Sequence, residues 1–179
     1  MNMETDILTA AQRADELRTA MRAWTSGVTV VTAFWQGERH GMTVSSFTSI
    51  SLDPPLIAIS LQTASRTHDV VVKSGAFGVT ILAAGQQELS ERFANRQTTM
   101  GERLDGLETE TLVTGAPLLK GGLAYLDCRV TQSIPCGMNT LFVAEVVAVR
   151  GDDHDAPLVY HDRTYHRLEE ESTKNTKAK

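Results

Sequence analysis

The stretch His40–Leu61, HGMTVSSFTSISLDPPLIAISL, predicts two β-strands and the turn that joins them. The first strand, Gly41–Ser46, is rich in Thr, Val and Ser, and the second, Leu56–Leu61, alternates Leu and Ile with Ala and Ser. Pro54 and Pro55 lie between them. Because proline lacks an N–H and holds a fixed φ, the chain must leave the first strand and turn there.

Hydroxyl side chains are dense in this stretch, where six fall within nine positions: Thr43, Ser45, Ser46, Thr48, Ser49 and Ser51. One interpretation is an exposed strand edge, in which the hydroxyls satisfy nearby backbone groups. The other is a wall of small donors and acceptors against which a flat polar ligand lies. The residues alone do not choose between the two.

Composition indicates a single globular domain. The chain has 179 residues, is 41% hydrophobic and 22% charged, and carries a net charge of −5, so nucleic acid is not an expected partner. No apolar run approaches the ~20 residues of a membrane span, and the first residues lack the order of a signal peptide. Cys128 and Cys136 are expected to be free thiols, and we expect a cytoplasmic protein.

Three helices are predicted, over about residues 9–24, 67–73 and 85–95. Thr9 and Gln12 fit a capping box at the start of the first. Its apolar stripe is expected to be ordinary packing and consists of Leu17, Met21 and Trp24. Residues 96–106 are polar without clear periodicity, which predicts a surface loop.

Further strands are predicted at Val28–Trp35, Ala76–Leu82, Leu123–Ile134, Thr140–Arg150, Leu158–Tyr160 and Tyr165–Leu168. Few helices separate them, so the pattern favours a mainly β protein, a closed antiparallel barrel, over a parallel sheet. Both faces of the strand at 140–150 are apolar. A helix or a second subunit should therefore cover one of those faces.

Several common site motifs are missing from the sequence. It contains no GxGxxG, GxxxxGK or GxSxG. His154, His161 and His166 lie near aspartates, but their spacing matches no established ligand pattern, so no metal is expected. Haem would need an axial ligand, and we interpret the two candidates, His40 and His68, as ordinary turn or exposed histidines.

Six ordered motifs resemble the flavin reductase family: SGVTVVTA (26–33), GMTVSSFTSISLDPP (41–55), SGAFGVTIL (74–82), ELSERFA (88–94), GAPLLKGGLAYLDC (115–128) and LVYHDRTYHRL (158–168). The resemblance implies a six-stranded antiparallel split β-barrel with Greek-key order and a few flanking helices. It would form a homodimer. The split-barrel domain would span residues 21–168, after an N-terminal helix region at 1–20 and before a disordered tail at 169–179.

The resemblance also implies an activity. The family reduces FMN or FAD with NADH, NADPH being possible, and supplies the reduced flavin to a separate flavin-dependent monooxygenase. Hydride transfer is the chemistry of the cofactors, so no catalytic side chain is expected. The alternative is a non-catalytic flavin-binding electron carrier on the same fold.

By the same resemblance, three groups of residues would form the site. The isoalloxazine ring would be lined by Thr43, Val44, Ser45 and Ser46, with Ser60 and Leu61 alongside. The flavin phosphate would lie near Ser65 and Thr67. The nicotinamide would lie near Asn139 and Tyr165.

The sequence departs from the family at two of these places. Many members carry a basic residue where this chain has Ala64, and Arg66 is the candidate to replace it at the phosphate. Many also carry Gly-Asp-His where this chain has Gly137-Met138-Asn139. Asn139 can donate and accept hydrogen bonds but carries no charge, so nicotinamide binding should differ in detail.

Overall fold

The computed structural model describes residues 8–95, 103–151 and 156–168. These contain helices α1 (Ala10–Ala20), α2 (Arg66–Ser74) and α3 (Gln87–Ala94), and a 3-10 turn at Met21–Ala23. The strands are β1 (Ser26–Gly27), β2 (Thr29–Trp35), β3 (Glu38–Val44), β4 (Thr48–Leu52), β5 (Pro55–Gln62), β6 (Ala76–Ile81), β7 (Thr109–Glu110), β8 (Leu118–Leu119), β9 (Ala124–Cys136), β10 (Asn139–Gly151), β11 (Val159–His161) and β12 (Thr164–His166). The expected tail at 169–179 lies outside the described residues, as does most of the expected loop at 96–106.

The main sheet is antiparallel, with strand order β3-β2-β6-β9-β10-β5-β4. The six strands from β3 to β5 form the barrel, and β4 pairs with the outer edge of β5. No ladder joins β3 to β5 among the described residues. The expected mainly β, antiparallel split-barrel class is therefore confirmed, with one more strand in the sheet than expected.

A side chain bridges the gap between β3 and β5, which we call the seam. Ser46, just beyond β3, accepts a hydrogen bond at Oγ from the Ser60 N–H (3.0 Å) and donates one to the Ser60 carbonyl (2.9 Å). One hydroxyl thus satisfies both backbone groups of a strand residue that lacks a neighbouring strand on that side. Further along the same edge of β5, from Pro55 to Ala58, β4 supplies the ladder partner.

The opening stretch folds differently from the expected two-strand unit. The strands expected at 41–46 and 56–61 lie on opposite sides of the seam, and β5 forms its hairpin with β4. Thr48–Leu52 lies between the two predicted strands and was not predicted to be one. Its β-branched Thr48 and Ile50 suit an edge strand, and it pairs with β5. The expected turn is present, with a cis Asp53–Pro54 peptide.

β2 is buried on both faces. Val31 and Ala33 point into the barrel core, where α2 adds Val70 and Val71. Val30, on the opposite face, packs in a second cluster. That cluster includes Phe93 of α3, so α3 covers the outside of the barrel beside β3.

The expectation for the apolar stripe of α1 is wrong. The capping box is present, since Thr9 N–H donates to Gln12 Oε1 and Gln12 N–H to Thr9 Oγ1. However, no residue of α1 is buried, and Leu17 (62%), Met21 (53%) and Trp24 (67%) remain exposed. Helical spacing predicts an apolar face but does not say what covers it.

The outer face of β10 is also incompletely covered. Phe142 and Ala144 are buried in the barrel, whereas Leu141 and Val143 on the opposite face are only half-buried. Within the described ranges, none of the helices has the length and apolar character needed to span a membrane. Cys128 is buried, which raises the pKa of its thiol to about 12, and Cys136 is exposed; both are free, as expected.

Candidate functional site

A cleft of about 850 Å³ follows the seam between β3 and β5. Its volume is within the roughly 300–1,000 Å³ typical of small-molecule sites. Of the nine residues expected to contact flavin, all except Leu61 line it. Side chains from the segment after β5 and from α3 extend the walls.

The hydroxyl wall is tied to the backbone. Thr43 Oγ1 donates to the Ser90 carbonyl of α3 (2.6 Å), and Ser46 is engaged with Ser60 across the seam. Ser45 is exposed beside them and also lines the cleft. These hydroxyls satisfy backbone groups, as the first interpretation expects, and they also line a cleft; that a flat ligand lies against them stays a prediction. Thr48, Ser49 and Ser51 lie in β4.

We use the name seam end for the part of the cleft formed by Ser46, Ser60 and Asn139. The Asn139 amide donates from Nδ2 to Ser60 Oγ (3.0 Å). The hairpin tip before Asn139 is held in place by Thr63, whose N–H and hydroxyl both donate to the Met138 carbonyl (3.0 and 3.1 Å). The seam end is thus neutral and interlinked by hydrogen bonds.

A second part of the cleft, the cation end, is formed by Arg66 and Arg103 together with His40. Arg66 pairs with Glu38, and this hydrogen bond raises the pKa of Arg66. His40 Nδ1 hydrogen-bonds Thr67 Oγ1 (2.8 Å). Burial lowers the pKa of His40, the charges of Arg103 and Arg66 lower it further, and Glu38 opposes them.

Ser65 and Thr67 stand at the start of α2, next to the cation end. Ser65 is the N-cap residue, and its Oγ accepts from the His68 N–H (3.2 Å). The first N–H groups of a helix have no intrahelical acceptor and favour an anion. The cation end therefore has a helix N-terminus beside it.

Arg103 is the residue that sequence reasoning missed. It follows α3 within the polar segment that was expected to be a loop, and nothing in the sequence distinguishes it from Arg92 or Arg96. In the structure its Nη1 donates to the carbonyls of Gly41 (3.0 Å) and Phe93 (3.2 Å), and its Nη2 donates to that of Asn95. Burial lowers its pKa.

Two expected site residues do not reach the cleft. Leu61 is fully buried in the barrel core, because strand alternation directs it away from the face that Ser60 presents. The Tyr165 hydroxyl hydrogen-bonds Ser90 Oγ (2.9 Å), and its ring packs against Tyr160 in a tilted arrangement with the centroids 5.1 Å apart. Its contact with the cleft is therefore indirect, through α3.

The metal and haem candidates gain no support. Among the described residues, no three His, Cys, Asp or Glu side chains converge as metal ligands; His154 lies outside those residues. His68 Nε2 bonds Thr140 Oγ1 (2.9 Å), and His68 does not line the cleft. His40 lines it with Nδ1 engaged by Thr67.

Fold and site together define a split-barrel protein whose cleft has hydroxyls along one wall and arginines at one end. Comparison with known proteins agrees with this class. The chain belongs to the flavin reductase like domain family, which matches residues 21–169.

Two relatives and one solved structure illustrate the similarity. FMN reductase (NADH) RutF of Pantoea ananatis is 35% identical over 159 residues, covering 89% of this chain and 83% of the relative. The reductase component of 4-hydroxyphenylacetate 3-monooxygenase of Thermus thermophilus is 36% identical over 154 residues, covering 86% and 96%. The Streptomyces globisporus NADH:FAD oxidoreductase SgcE6, in complex with NAD and FAD fragments, superposes with a TM-score of 0.83 at 28% identity, covering 92% of this chain and 98% of that one.

Proposed function

We propose that this chain is an NADH-dependent flavin reductase that transfers hydride from NADH to FMN or FAD. The observation that carries the proposal is the seam cleft, whose neutral hydroxyl wall and cation end suit the two ends of a phosphorylated flavin. Family membership and relatives named as NADH-dependent reductases support it. NADPH is the second candidate donor.

The residues present fit a flavin on chemical grounds. The ring would lie along Thr43, Val44, Ser45 and Ser46, with Ser60 opposite. The phosphate would bind where Ser65, Arg66 and Thr67 begin α2, since an anion is favoured there. When bound, the flavin supplies the hydride acceptor.

The chain's own task is positioning. Thr43 and Ser46 are fixed by hydrogen bonds to backbone carbonyls, so the wall is preorganised. We place the nicotinamide at Asn139, at the seam end, where the Thr63–Met138 contacts hold the hairpin tip. Asn139 offers a neutral amide and therefore orients the ring without exchanging a proton. Tyr165 would act on this site only through Ser90 of α3.

The direct test is loss of NADH absorbance with purified protein, with and without FMN, FAD or riboflavin, repeated with NADPH. Activity that requires added flavin and saturates with it supports the proposal. Absence of turnover with every flavin contradicts it. A protein that retains bound flavin without oxidising NADH would be an electron carrier, a candidate that uncharged Asn139 keeps open.

The proposed acceptor of the reduced flavin is a separate flavin-dependent monooxygenase. Support comes from the Thermus thermophilus relative, which is named as the reductase component of a monooxygenase. Under anaerobic turnover with excess flavin, free reduced flavin should accumulate and pass through an ultrafiltration membrane. Reduced flavin found only in the retained fraction would contradict release into solution.

We further propose a homodimer. The apolar stripe of α1 leaves Leu17, Met21 and Trp24 more than half exposed, and the outer face of β10 is only half-buried, an arrangement that favours a protein partner. Sedimentation equilibrium should give twice the chain mass of 19.5 kDa, whereas a monomer would contradict the proposal. The cytoplasm is the proposed compartment, since NADH is available there and both cysteines are free.

A further inference from the structure

Ser90 is a fully buried polar residue of α3 that makes two hydrogen bonds outside its own helix. Its carbonyl accepts from Thr43 Oγ1 of β3 (2.6 Å), and its Oγ bonds the Tyr165 hydroxyl of β12 (2.9 Å). A serine inside a helix commonly returns its hydroxyl to a carbonyl one turn earlier in the same helix. Ser90 instead connects the hydroxyl wall of the cleft to the hairpin β11–β12.

The bond from Thr43 to Ser90 determines what the Thr43 hydroxyl offers to a ligand. A hydroxyl has one proton to donate and two lone pairs that accept. The proton of Thr43 is committed to the Ser90 carbonyl, so only acceptor capacity remains on this side chain. Because Thr43 is half-buried and lines the cleft, that capacity is available to a bound molecule.

The Tyr165 hydroxyl helps to hold α3 in the place where this bond forms. Tyr165 pairs with Tyr160 in the ladder between β11 and β12, and β11 pairs with β1, directly before β2. The rings of both tyrosines pack against the apolar cluster that contains Phe93 of α3. The hairpin is thus attached to the start of the barrel and reaches α3 through Tyr165 and Ser90.

An acceptor on the wall matches one position of a flavin ring. The oxidised isoalloxazine carries a single N–H, at N3, and its other polar ring atoms accept hydrogen bonds. Thr43 can therefore meet only N3–H, whereas a freely rotating hydroxyl would accept or donate and would distinguish no edge. Ser46 is less available, since its oxygen already accepts from the Ser60 N–H. A donor that loses its acceptor on binding costs free energy, so this match gives selectivity.

We propose that Ser90 and Tyr165 are positioning residues, which hold the Thr43 hydroxyl as an acceptor and so make the cleft select flavin rings with a free N3–H. The proposal rests on the proposed function, because it requires a flavin along the hydroxyl wall. It adds a selectivity among flavins, since a ring methylated at N3 has no donor for Thr43. Phosphate takes no part in this contact, and riboflavin is therefore a sufficient probe.

The competing explanation is that Tyr165 and Ser90 only stabilise α3. Loss of the Tyr165 hydroxyl would then reduce the free energy of unfolding and weaken every flavin by the same factor. Loss of a positioned acceptor instead reduces the preference for N3–H over N3-methyl. A matched pair of ligands therefore separates the two roles.

The experiment measures dissociation constants for riboflavin and 3-methylriboflavin by quenching of flavin fluorescence, with thermal unfolding to show that each variant is folded. The wild type should bind riboflavin about fivefold or more tighter than 3-methylriboflavin, the size of one neutral hydrogen bond. Thr43→Val should reduce that ratio below about twofold, and Tyr165→Phe and Ser90→Ala should each reduce it at least by about half. Added to Thr43→Val, Tyr165→Phe should reduce the ratio no further, because both changes remove the same contact.

Tyr160→Phe is the matched control. It removes a hydroxyl from the adjacent ring, and that hydroxyl has no hydrogen-bond partner among the described residues. Both dissociation constants should stay as in the wild type. A ratio that falls as far in Tyr160→Phe as in Tyr165→Phe would contradict a specific role for the Tyr165–Ser90 bond.

Equal weakening of both flavins by Tyr165→Phe, with the ratio unchanged, would overturn the proposal in favour of the structural role. If Tyr165→Phe does not fold, Ser90→Ala removes the same bond from the α3 side, and an unchanged ratio there would overturn it. A wild type that binds both flavins equally overturns this inference alone. A wild type that binds neither rejects the proposed function and the inference with it.

Discussion

The two ends of the cleft are built on opposite principles. At the seam end, Ser46, Ser60 and Asn139 are neutral and bond one another or the backbone. At the cation end, Arg66 and Arg103 bring charge from α2 and the segment after α3, beside His40 of β3. The seam end is therefore part of how the barrel holds together, whereas the cation end retains capacity for a ligand. Changes at the seam end should alter the scaffold, and changes at the cation end should alter which ligand binds.

The largest loss of stability is expected at Gly41 of β3, where the barrel packs against α3 beside the cation end. A Cβ at Gly41 would lie 2.9 Å from Phe93 Cε1 and 3.0 Å from Thr32 Cγ2. Gly41→Val should therefore reduce the free energy of unfolding by about 1–3 kcal/mol through overpacking. It should also weaken FMN by displacing the α3 wall. Urea denaturation and a flavin titration measure the two effects.

Gly27→Val is the matched control, because a Cβ at Gly27 meets nothing within 4 Å. It should have a much smaller effect on stability. If both variants lost the same free energy of unfolding, the close approach of Phe93 to β3 would not be what positions the α3 wall of the cleft.

The next largest loss of stability is expected for removal of the Ser46 hydroxyl, which bridges the seam. Ser46→Ala removes both hydrogen bonds to Ser60 and should cost about 1 kcal/mol, because water can reach the exposed position and replace part of what is lost. FMN and riboflavin should weaken by the same factor. Thermal unfolding and the two titrations provide the measurements. Ser45→Ala, at the exposed neighbouring position, should leave stability nearly unchanged; a Ser46→Ala protein as stable as Ser45→Ala would refute the role of the seam bridge.

A change at Asn139 should affect the binding of NADH but not that of the flavin. Asn139→Ala should raise the KM for NADH roughly two- to tenfold, the size of one or two neutral hydrogen bonds, with little change in flavin affinity. Steady-state kinetics at saturating FMN, together with a flavin titration, test this. If neither quantity changes, the nicotinamide does not lie at this hairpin tip.

The smallest expected effect is the pH dependence at His40. Its pKa in the folded chain is below the ordinary value of 6.5, chiefly because it is buried. As the pH falls through that value the unfolded chain takes up the proton first, so acid favours unfolding. The contribution of neutral His40 to the free energy of unfolding is thus fully present above about pH 6.5 and is lost as the pH falls below it. Denaturation midpoints of the wild type should fall more steeply with acid than those of His40→Gln; parallel profiles would contradict this.

The contrast between the two ends also explains what the sequence could predict. The hydroxyl wall is one contiguous stretch, so a motif found it, and the antiparallel barrel followed from strands without intervening helices. The cation end is assembled from His40, Arg66 and Arg103, which are far apart in the chain. Only the folded barrel brings them together, and a lone arginine in a polar segment carries no local signal.

The other wrong expectations also arose because a local sequence pattern does not show how a residue is placed in the folded chain. Leu61 was expected at the site because it adjoins Ser60, but alternation along β5 places neighbouring side chains on opposite faces. Tyr165 was expected at the nicotinamide, and tertiary packing places it behind α3. The apolar face of α1 was recognised, yet its spacing could not reveal that it stays exposed among the residues that the structure describes.

The strand order determines when, during synthesis of the chain, the cleft can form and bind a flavin. Hairpins β2–β3, β4–β5 and β9–β10 pair sequence neighbours, whereas β10 meets β5 across a long interval, with Thr140 opposite Leu61. Such distant pairings form slowly because a large loop must close first. Asn139 belongs to the last long hairpin, so a ribosome must release most of the chain before both ends of the cleft exist. A flavin can therefore stabilise the finished barrel but cannot guide its early hairpins.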